Sequence, residues 1–447
     1  MKIALPQDVK LILDTIHQAG YEAYVVGGCV RDSLLGRKPD DWDITTMALP
    51  DEIKKIFPKT IDTGIQHGTV TVMRNGEGYE VTTYRIDGEY EDGRHPKEVA
   101  FTANLLEDLR RRDFTINAMA YNEEQGLVDA FGGKEDIKEG IIRCVGDALS
   151  RFKEDALRLM RAVRFSAQLG YRIEENTALA MREMAPGLAQ VSAERIQVEL
   201  IKLLTSEHPD YLKIAWENGL TKVFLPEFDQ AMETPQNHPH HCYSVGEHIL
   251  HSLTTVNSDK VLRLTMLLHD IGKPRVRYQD ERGIDHFHGH GDVGEKMAGE
   301  ILRRLKMDRA TIEKVCRLVK YHDLRPDLTP KAVRKAVVKV TPQLFPLLLQ
   351  VQRADILAQA AYKRTEKLEA LQAIEQVYKE VVAARDCLSL KCLAITGKDL
   401  LELGMKPGKE IGMTLNRLLE HVLENPQDNC REVLLRLVKP PEQGQQE

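Results

Sequence analysis

The chain has 447 residues, of which 42% are hydrophobic and 29% charged, and carries a net charge of −6; this length exceeds one ordinary domain, and this composition excludes a disordered chain. No apolar run approaches the ~20 residues a membrane span needs, and residues 1–6 lack a signal-peptide core, so a cytoplasmic protein is expected. The acidic balance argues against a protein that coats polyanions generically and fits a local basic groove for a folded RNA of limited footprint. Seven cysteines (29, 144, 242, 316, 387, 392 and 430) include no Cys-x-x-Cys pair, so buried reduced thiols are expected rather than disulfides or a cysteine zinc site.

In chain order, residues 8–19 place Val9, Ile12, Leu13 and Ile16 on one face of a helix, and a strand follows at 24–26. A hairpin is predicted from 69–72 to 79–84 through Asn75-Gly76-Glu77-Gly78. Residues 86–96 mix acids, glycines and a proline without apolar period and read as a flexible loop beside an active site. From 146 onward strands essentially vanish, and helices are expected with breaks near Gly170, Pro186, Pro209, 226–239, 274–291 and 323–330. The polar stretch 440–447 is expected to be disordered. Positive charge gathers at Arg110-Arg111-Arg112, at Arg158, Arg161 and Arg164, across 303–320 and at 331–335.

The most informative stretch is Gly27-Gly28-Cys29-Val30-Arg31-Asp32 followed by Asp41-Trp42-Asp43. Strand side chains two apart share a face, so Asp41 and Asp43 can converge on divalent ions, with Asp40 out of phase. Gly27 and Gly28 offer backbone a phosphate can approach closely, and Arg31 adds a planar cation. Together these residues describe a metal-assisted triphosphate site.

Four further features extend the pattern: Thr63-Gly64-Ile65-Gln66-His67-Gly68-Thr69-Val70-Thr71-Val72; Arg111-Arg112-Asp113-Phe114-Thr115-Ile116-Asn117; Glu154-Asp155-Ala156-Leu157-Arg158 with Arg161 and Arg164; and Glu194-Arg195-Ile196-Gln197-Val198-Glu199-Leu200. With Asp129-Ala130-Phe131-Gly132-Gly133, they resemble the nucleotidyltransferase head of the DNA polymerase β superfamily, in particular class II tRNA nucleotidyltransferases and their poly(A) polymerase relatives. The resemblance implies an α+β, polymerase-β-like head (1–142), then an all-helical neck (143–222), body (223–370) and tail (371–447). It implies CTP, ATP and tRNA as partners, Mg²⁺ on Asp41 and Asp43, and Gly28, Arg31 and the Arg112, Asp113, Arg161 and Arg164 group around the nucleotide, with Asp113 at the ribose hydroxyl. It makes Asp155 and Arg158 the base readers, since cytosine and adenine both offer an amino donor beside a ring-nitrogen acceptor. Taken as one helix, 151–165 buries Phe152, Ala156, Leu159 and Val163 and turns Glu154, Arg158 and Arg161 to the other face, with Asp155 at its edge.

A second constellation lies downstream. His248, His269-Asp270 in Leu267-Leu268-His269-Asp270-Ile271-Gly272-Lys273-Pro274, and Asp355 resemble the HD phosphohydrolase pattern, with His290 and His322 as the extra ligands of a two-metal version. Imidazole donors favour nickel, manganese or cobalt there. His248 is preferred to His241 by its register with Ile249 and Leu253. In the tail, Gly404, Gly408 and Gly412 among lysines read either as a phosphate clamp contacting RNA or as a plain helix-turn-helix packing element. The rival activities are poly(A) polymerization, partial CC or A addition, and, from another class, an HD phosphohydrolase with an RNA-binding head.

Overall fold

The computed structural model describes residues 2–65, 68–87 and 99–438. Most of the predicted loop at 86–96, the Gln66-His67 pair and the predicted disordered tail lie outside the described residues. The chain forms two compact units, one up to Pro226 and one from Glu227.

In the first unit, the helix Gln7–Gln18 buries Val9, Ile12, Leu13 and Ile16 against the sheet, as its 3.6-residue spacing requires. The strands are β1 (Ala23–Val26), β2 (Ile44–Thr46), β3 (Thr60–Gly64), β4 (Thr69–Arg74), β5 (Glu77–Thr83), β6 (Arg85–Asp87), β7 (Val99–Phe101), β8 (Ala120–Asn122) and β9 (Gly126–Val128). Seven form one sheet in the order β3-β4-β5-β2-β1-β8-β9, while β6 and β7 pair separately. All neighbours are antiparallel except β2 and β5, which run parallel with Ile44 opposite Val81. The β4–β5 turn is tighter than predicted: Asn75 and Gly76 both take positive φ (50° and 87°), so two residues turn the chain and β5 begins at Glu77. Paired positive φ values match the right-handed twist of the flanking strands.

One expectation for the neck is corrected. Residues 151–165 are not one helix: Ala148–Glu154 ends where Asp155 is extended (φ −147°, ψ 103°), and a new helix runs Leu157–Leu169. Asp155 Oδ1 accepts from the Leu157 N–H (3.0 Å), so a carboxylate able to cap a helix start interrupts the charged run. Past 146 the described residues hold only two-residue strands, as expected, with Ile142 opposite Ile173 and Tyr278–Gln279 pairing with Asp285–His286. Cysteines divide more evenly than expected, with 29, 144 and 387 buried but 242, 392 and 430 exposed.

The second unit is helical. Helices Val245–Thr255, Lys260–Leu268, His290–Arg304, Arg309–Tyr321 and Phe345–Ala358 form its first part, and Ser244 with Glu247 closes a capping box on the first of these. Pro330–Val340 and Arg364–Ala383 pack with Phe345–Ala358 around Leu318, Val337, Phe345 and Leu371. Gly397–Glu402 and Lys409–Glu424 form the predicted helix-turn-helix, fastened by buried Leu400, Leu418 and Leu423, while Lys398, Lys406 and Lys409 remain exposed. No helix among the described residues is long and apolar enough to cross a membrane.

Candidate functional site

At the head site, Asp41 and Asp43 stand in the extended lead-in to β2 rather than in the strand proper. The Asp43 carbonyl accepts from the Val26 N–H (3.0 Å), so β1 holds this lead-in beside the glycine turn. Gly27 adopts φ 81°, and a Cβ there would stand 3.1 Å from Arg112 NH1, so both backbone and space require glycine.

Sequence reasoning missed a third carboxylate. Glu80 precedes Val81, just as Asp43 precedes Ile44, and the parallel β2–β5 register makes them neighbours. Glu80 is raised above its ordinary pKa by desolvation, then by Asp43 and Asp41; Asp43 is raised by desolvation, opposed by Arg112 and reinforced by Asp41. Only strand pairing reveals Glu80, because it lies far along the chain from the aspartates. The Asp41 and Asp43 carboxylates are hard oxygen donors of the kind that suits Mg²⁺, and Glu80 adds a further negative charge beside them. Asp41 and Asp43 border two cavities. One, of about 760 Å³, is also lined by Gly28, Arg31, Arg164 and Lys202; the other, of about 730 Å³, by Lys38, Tyr79 and Glu80.

A polar chain links the glycine turn to the neck. Arg31 NH1 donates to Asn117 Oδ1 (2.7 Å), Asn117 Nδ2 donates to Asp113 Oδ1 (3.2 Å), and Arg161 reaches Asp113 Oδ2 (2.6 Å). Arg31 is also bound by Asp32, and Arg164 Nε lies 2.5 Å from buried Glu199. Burial opposes the Asp113 charge, but Arg161 and Arg158 outweigh it and hold the carboxyl well below its usual range. Arg112 NH2 donates to fully buried Asp108 (3.2 Å). The two proposed base readers do not pair with each other. Asp155 takes a two-pronged ion pair from Arg195 (2.7 and 3.2 Å), whereas Arg158 contacts Glu154 (2.5 Å) and donates to the carbonyls of Arg151 and Arg111. Arg195 thus holds one of the two proposed base readers.

In the second unit, all six predicted residues come together. His248 Nε2 lies 3.0 Å from Asp355 Oδ1, 3.2 Å from His269 Nε2 and 3.6 Å from Asp270 Oδ2. Asp270 Oδ1 lies 3.6 Å from His290 Nε2 and 3.5 Å from His322 Nε2, which are 3.0 Å apart. His241 stands outside this group, its ring edge-on to His248 at 5.7 Å. Nδ1 of His269, His290 and His322 lies 2.7 to 2.8 Å from the backbone carbonyls of Met266, Phe287 and Val319. A carbonyl only accepts, so these Nδ1 atoms carry protons and Nε2 is the atom each ring presents inward. The inward Nε2 atoms stand close together and Asp270 borders both clusters; this donor set fits divalent metal. Desolvation would lower His322, but Asp323 and Asp270 raise it to about 9, another sign of surroundings that favour a cation. Lys273, unassigned from sequence, supplies one by pairing with Asp270 Oδ2 (2.6 Å).

Known proteins match over these segments. The Poly A polymerase head domain matches residues 23–143, the probable RNA and SrmB-binding site of polymerase A matches 170–232, and the putative tRNA nucleotidyltransferase domain 2 matches 286–438. The CCA-adding enzyme of Lactobacillus helveticus (strain DPC 4571) is 37% identical over 95% of this chain and 94% of its own. That of Streptococcus mutans serotype c is 33% identical over 97% and 96%. The crystal structure of the Bacillus stearothermophilus CCA-adding enzyme in complex with CTP is similar with a TM-score of 0.70 and 30% identity, covering 96% of each chain. On these matches, the chain belongs to the CCA-adding enzymes, a family of tRNA nucleotidyltransferases.

Proposed function

We propose that Asp41, Asp43 and Glu80 form the acidic centre at which this tRNA nucleotidyltransferase extends the 3′ end of tRNA with CTP and ATP. The observation that carries this reading is that Asp41 and Asp43 border a cavity lined by Gly28, Arg31 and Arg164, with Glu80 close enough to be raised by the charge of both. The terminal hydroxyl oxygen of the RNA bonds to the α-phosphorus, the bond to the pyrophosphate oxygen breaks and pyrophosphate leaves, and the hydroxyl proton passes to solvent water. Bound Mg²⁺ supplies charge neutralization for the triphosphate and acidifies that hydroxyl. The carboxylates hold and orient the ions, Gly28 and Arg31 face the phosphates, and Arg112, Arg161 and Arg164 balance the remaining charge. Asp113, engaged by Asn117 and Arg161, meets the ribose hydroxyl through a shared hydrogen bond. We divide the chain into head (1–142), neck (143–222), body (223–370) and tail (371–447), with the exposed tail lysines toward RNA.

Asp155 and Arg158 read the base, which requires them to exchange part of their present contacts with Arg195 and Glu154. An Arg158→Ala variant is expected to lose roughly 10- to 100-fold of its discrimination against UTP and GTP while tRNA binding holds, because one missing partner costs about 1 to 3 kcal/mol. Incubating tRNAs that end before, within and after CC with each nucleotide alone and in pairs measures both the product and its fidelity. Complete CCA from the shortest substrate supports the reading; A tracts, or addition that stops at CC, point to the rival activities.

The body centre is read as a divalent metal site of the HD phosphohydrolase type, with His248, His269, Asp270 and Asp355 in one cluster and His290 and His322 joined to it through Asp270. Nickel, manganese or cobalt suits the imidazole donors. Hydrolysis there would join a water oxygen to phosphorus and release the ester oxygen, protonated, as an alcohol. His269→Ala/Asp270→Ala is expected to lose bound metal and any phosphatase activity yet keep nucleotide addition. Elemental analysis decides the first point, and equal metal in variant and parent refutes the assignment.

A further inference from the structure

Gln359 separates the body centre from a second cavity. Its Nε2 donates to both oxygens of Asp355 (3.1 Å each), and its Oε1 accepts from Lys367 Nζ. Gln359, Asp355 and Asp323 line the histidine-rich cavity, of about 350 Å³, and also a neighbouring one of about 570 Å³. The second has an aliphatic wall of Ile356, Leu371 and Ile374, all at least nine-tenths buried, while Leu328 is 55% exposed at its edge. Arg325 and Lys367 are its cationic lining. Arg325 NH1 donates to the His322 carbonyl (2.7 Å), and its NH2 lies 3.8 Å from Asp355 Oδ2. Asp355 therefore borders the imidazole cluster on one side and an apolar cavity with two cations on the other.

Neither nucleotide addition nor metal retention needs such a cavity. Inorganic phosphate has nothing to place against aliphatic walls, and an uncharged hydrophobic compound would leave Arg325 and Lys367 unused. A phosphomonoester with an apolar or aromatic organic group satisfies both, through burial of its carbon surface and charge balance at its phosphate. We propose that this cavity is the organic-group subsite of the body's phosphoester centre, with Arg325 and Lys367 facing the phosphate and Gln359 positioning Asp355. The proposal rests on the metal reading given above.

The test is calorimetric binding of phenyl phosphate and of inorganic phosphate to the nickel-loaded, full-length protein, with nickel content measured alongside. Phenyl phosphate is expected to bind roughly tenfold more tightly, as partial removal of one aromatic ring from water implies. Ile374→Trp, which fills the cavity, and Leu328→Ser, which alters an exposed residue and spares the core, should each reduce that preference without changing nickel content. Lys367→Met should weaken both ligands alike. Equal affinities in the parent, a preference that survives both cavity variants, or phenyl phosphate binding that persists in His269→Ala/Asp270→Ala would each overturn the subsite. A parent protein that retains no nickel would overturn the metal reading itself.

Discussion

Asp41→Ala and Asp43→Ala are each expected to slow nucleotide addition by at least about a thousandfold, because metal stabilization of a phosphoryl transition state is worth several kcal/mol and each 1.36 kcal/mol is a factor of ten. Filter binding of tRNA should stay close to the parent's, since the role proposed for these carboxylates is to hold ions rather than RNA. Glu80→Gln should lie between the parent and the aspartate variants. It keeps the size of the side chain and removes the carboxylate charge that Asp43 and Asp41 oppose. Near-parent incorporation by either aspartate variant would remove the basis of the head assignment.

Arg161→Ala is expected to destabilize the first unit by about 3 kcal/mol, the low end for breaking a buried ion pair, because a third of the Arg161 side chain is exposed. The cost comes from leaving the Asp113 carboxylate buried without its closest cation. The sign with pH follows from linkage. A carboxyl depressed on folding contributes stability above its unfolded pKa of about 4 and loses that contribution as pH falls toward its folded value. The parent should therefore weaken on acidification below about pH 4, whereas the variant starts weaker at neutral pH and loses less. Urea unfolding across that range measures both limbs. Equal neutral stability, or parallel acid limbs, would show that Arg158 and Asn117 suffice to hold the charge.

Local periodicity and residue chemistry made much of the fold legible. Val9, Ile12, Leu13 and Ile16 specified their buried stripe without help from the rest of the chain, and Asn75-Gly76 specified a turn. The body centre was legible for a related reason, because His248, His269, Asp270 and Asp355 each sit on or at the end of a recognizable helix. What remained hidden depends on tertiary pairing. Glu80 joins the aspartates through strand register, Arg195 is identified by Asp155, and Lys273 and Gln359 gain meaning only from the carboxylates they touch. The break at Asp155 shows a local competition that periodicity alone misjudges: a carboxylate that can cap the next helix stops the preceding one.

The parallel β2–β5 pair also governs when the head becomes competent during folding. Thr45 and Thr82 meet across 37 residues of sequence, whereas the β4–β5 hairpin closes over two. Local closure comes early and cheaply, while distant strands wait for the intervening chain to be ordered. Asp43 and Glu80 lie one step outside the β2–β5 pairing, so their juxtaposition belongs to the later event. A refolding chain thus acquires its hairpin and first helix before it can use a nucleotide, and recovered activity reports the closing of the sheet rather than the return of secondary structure.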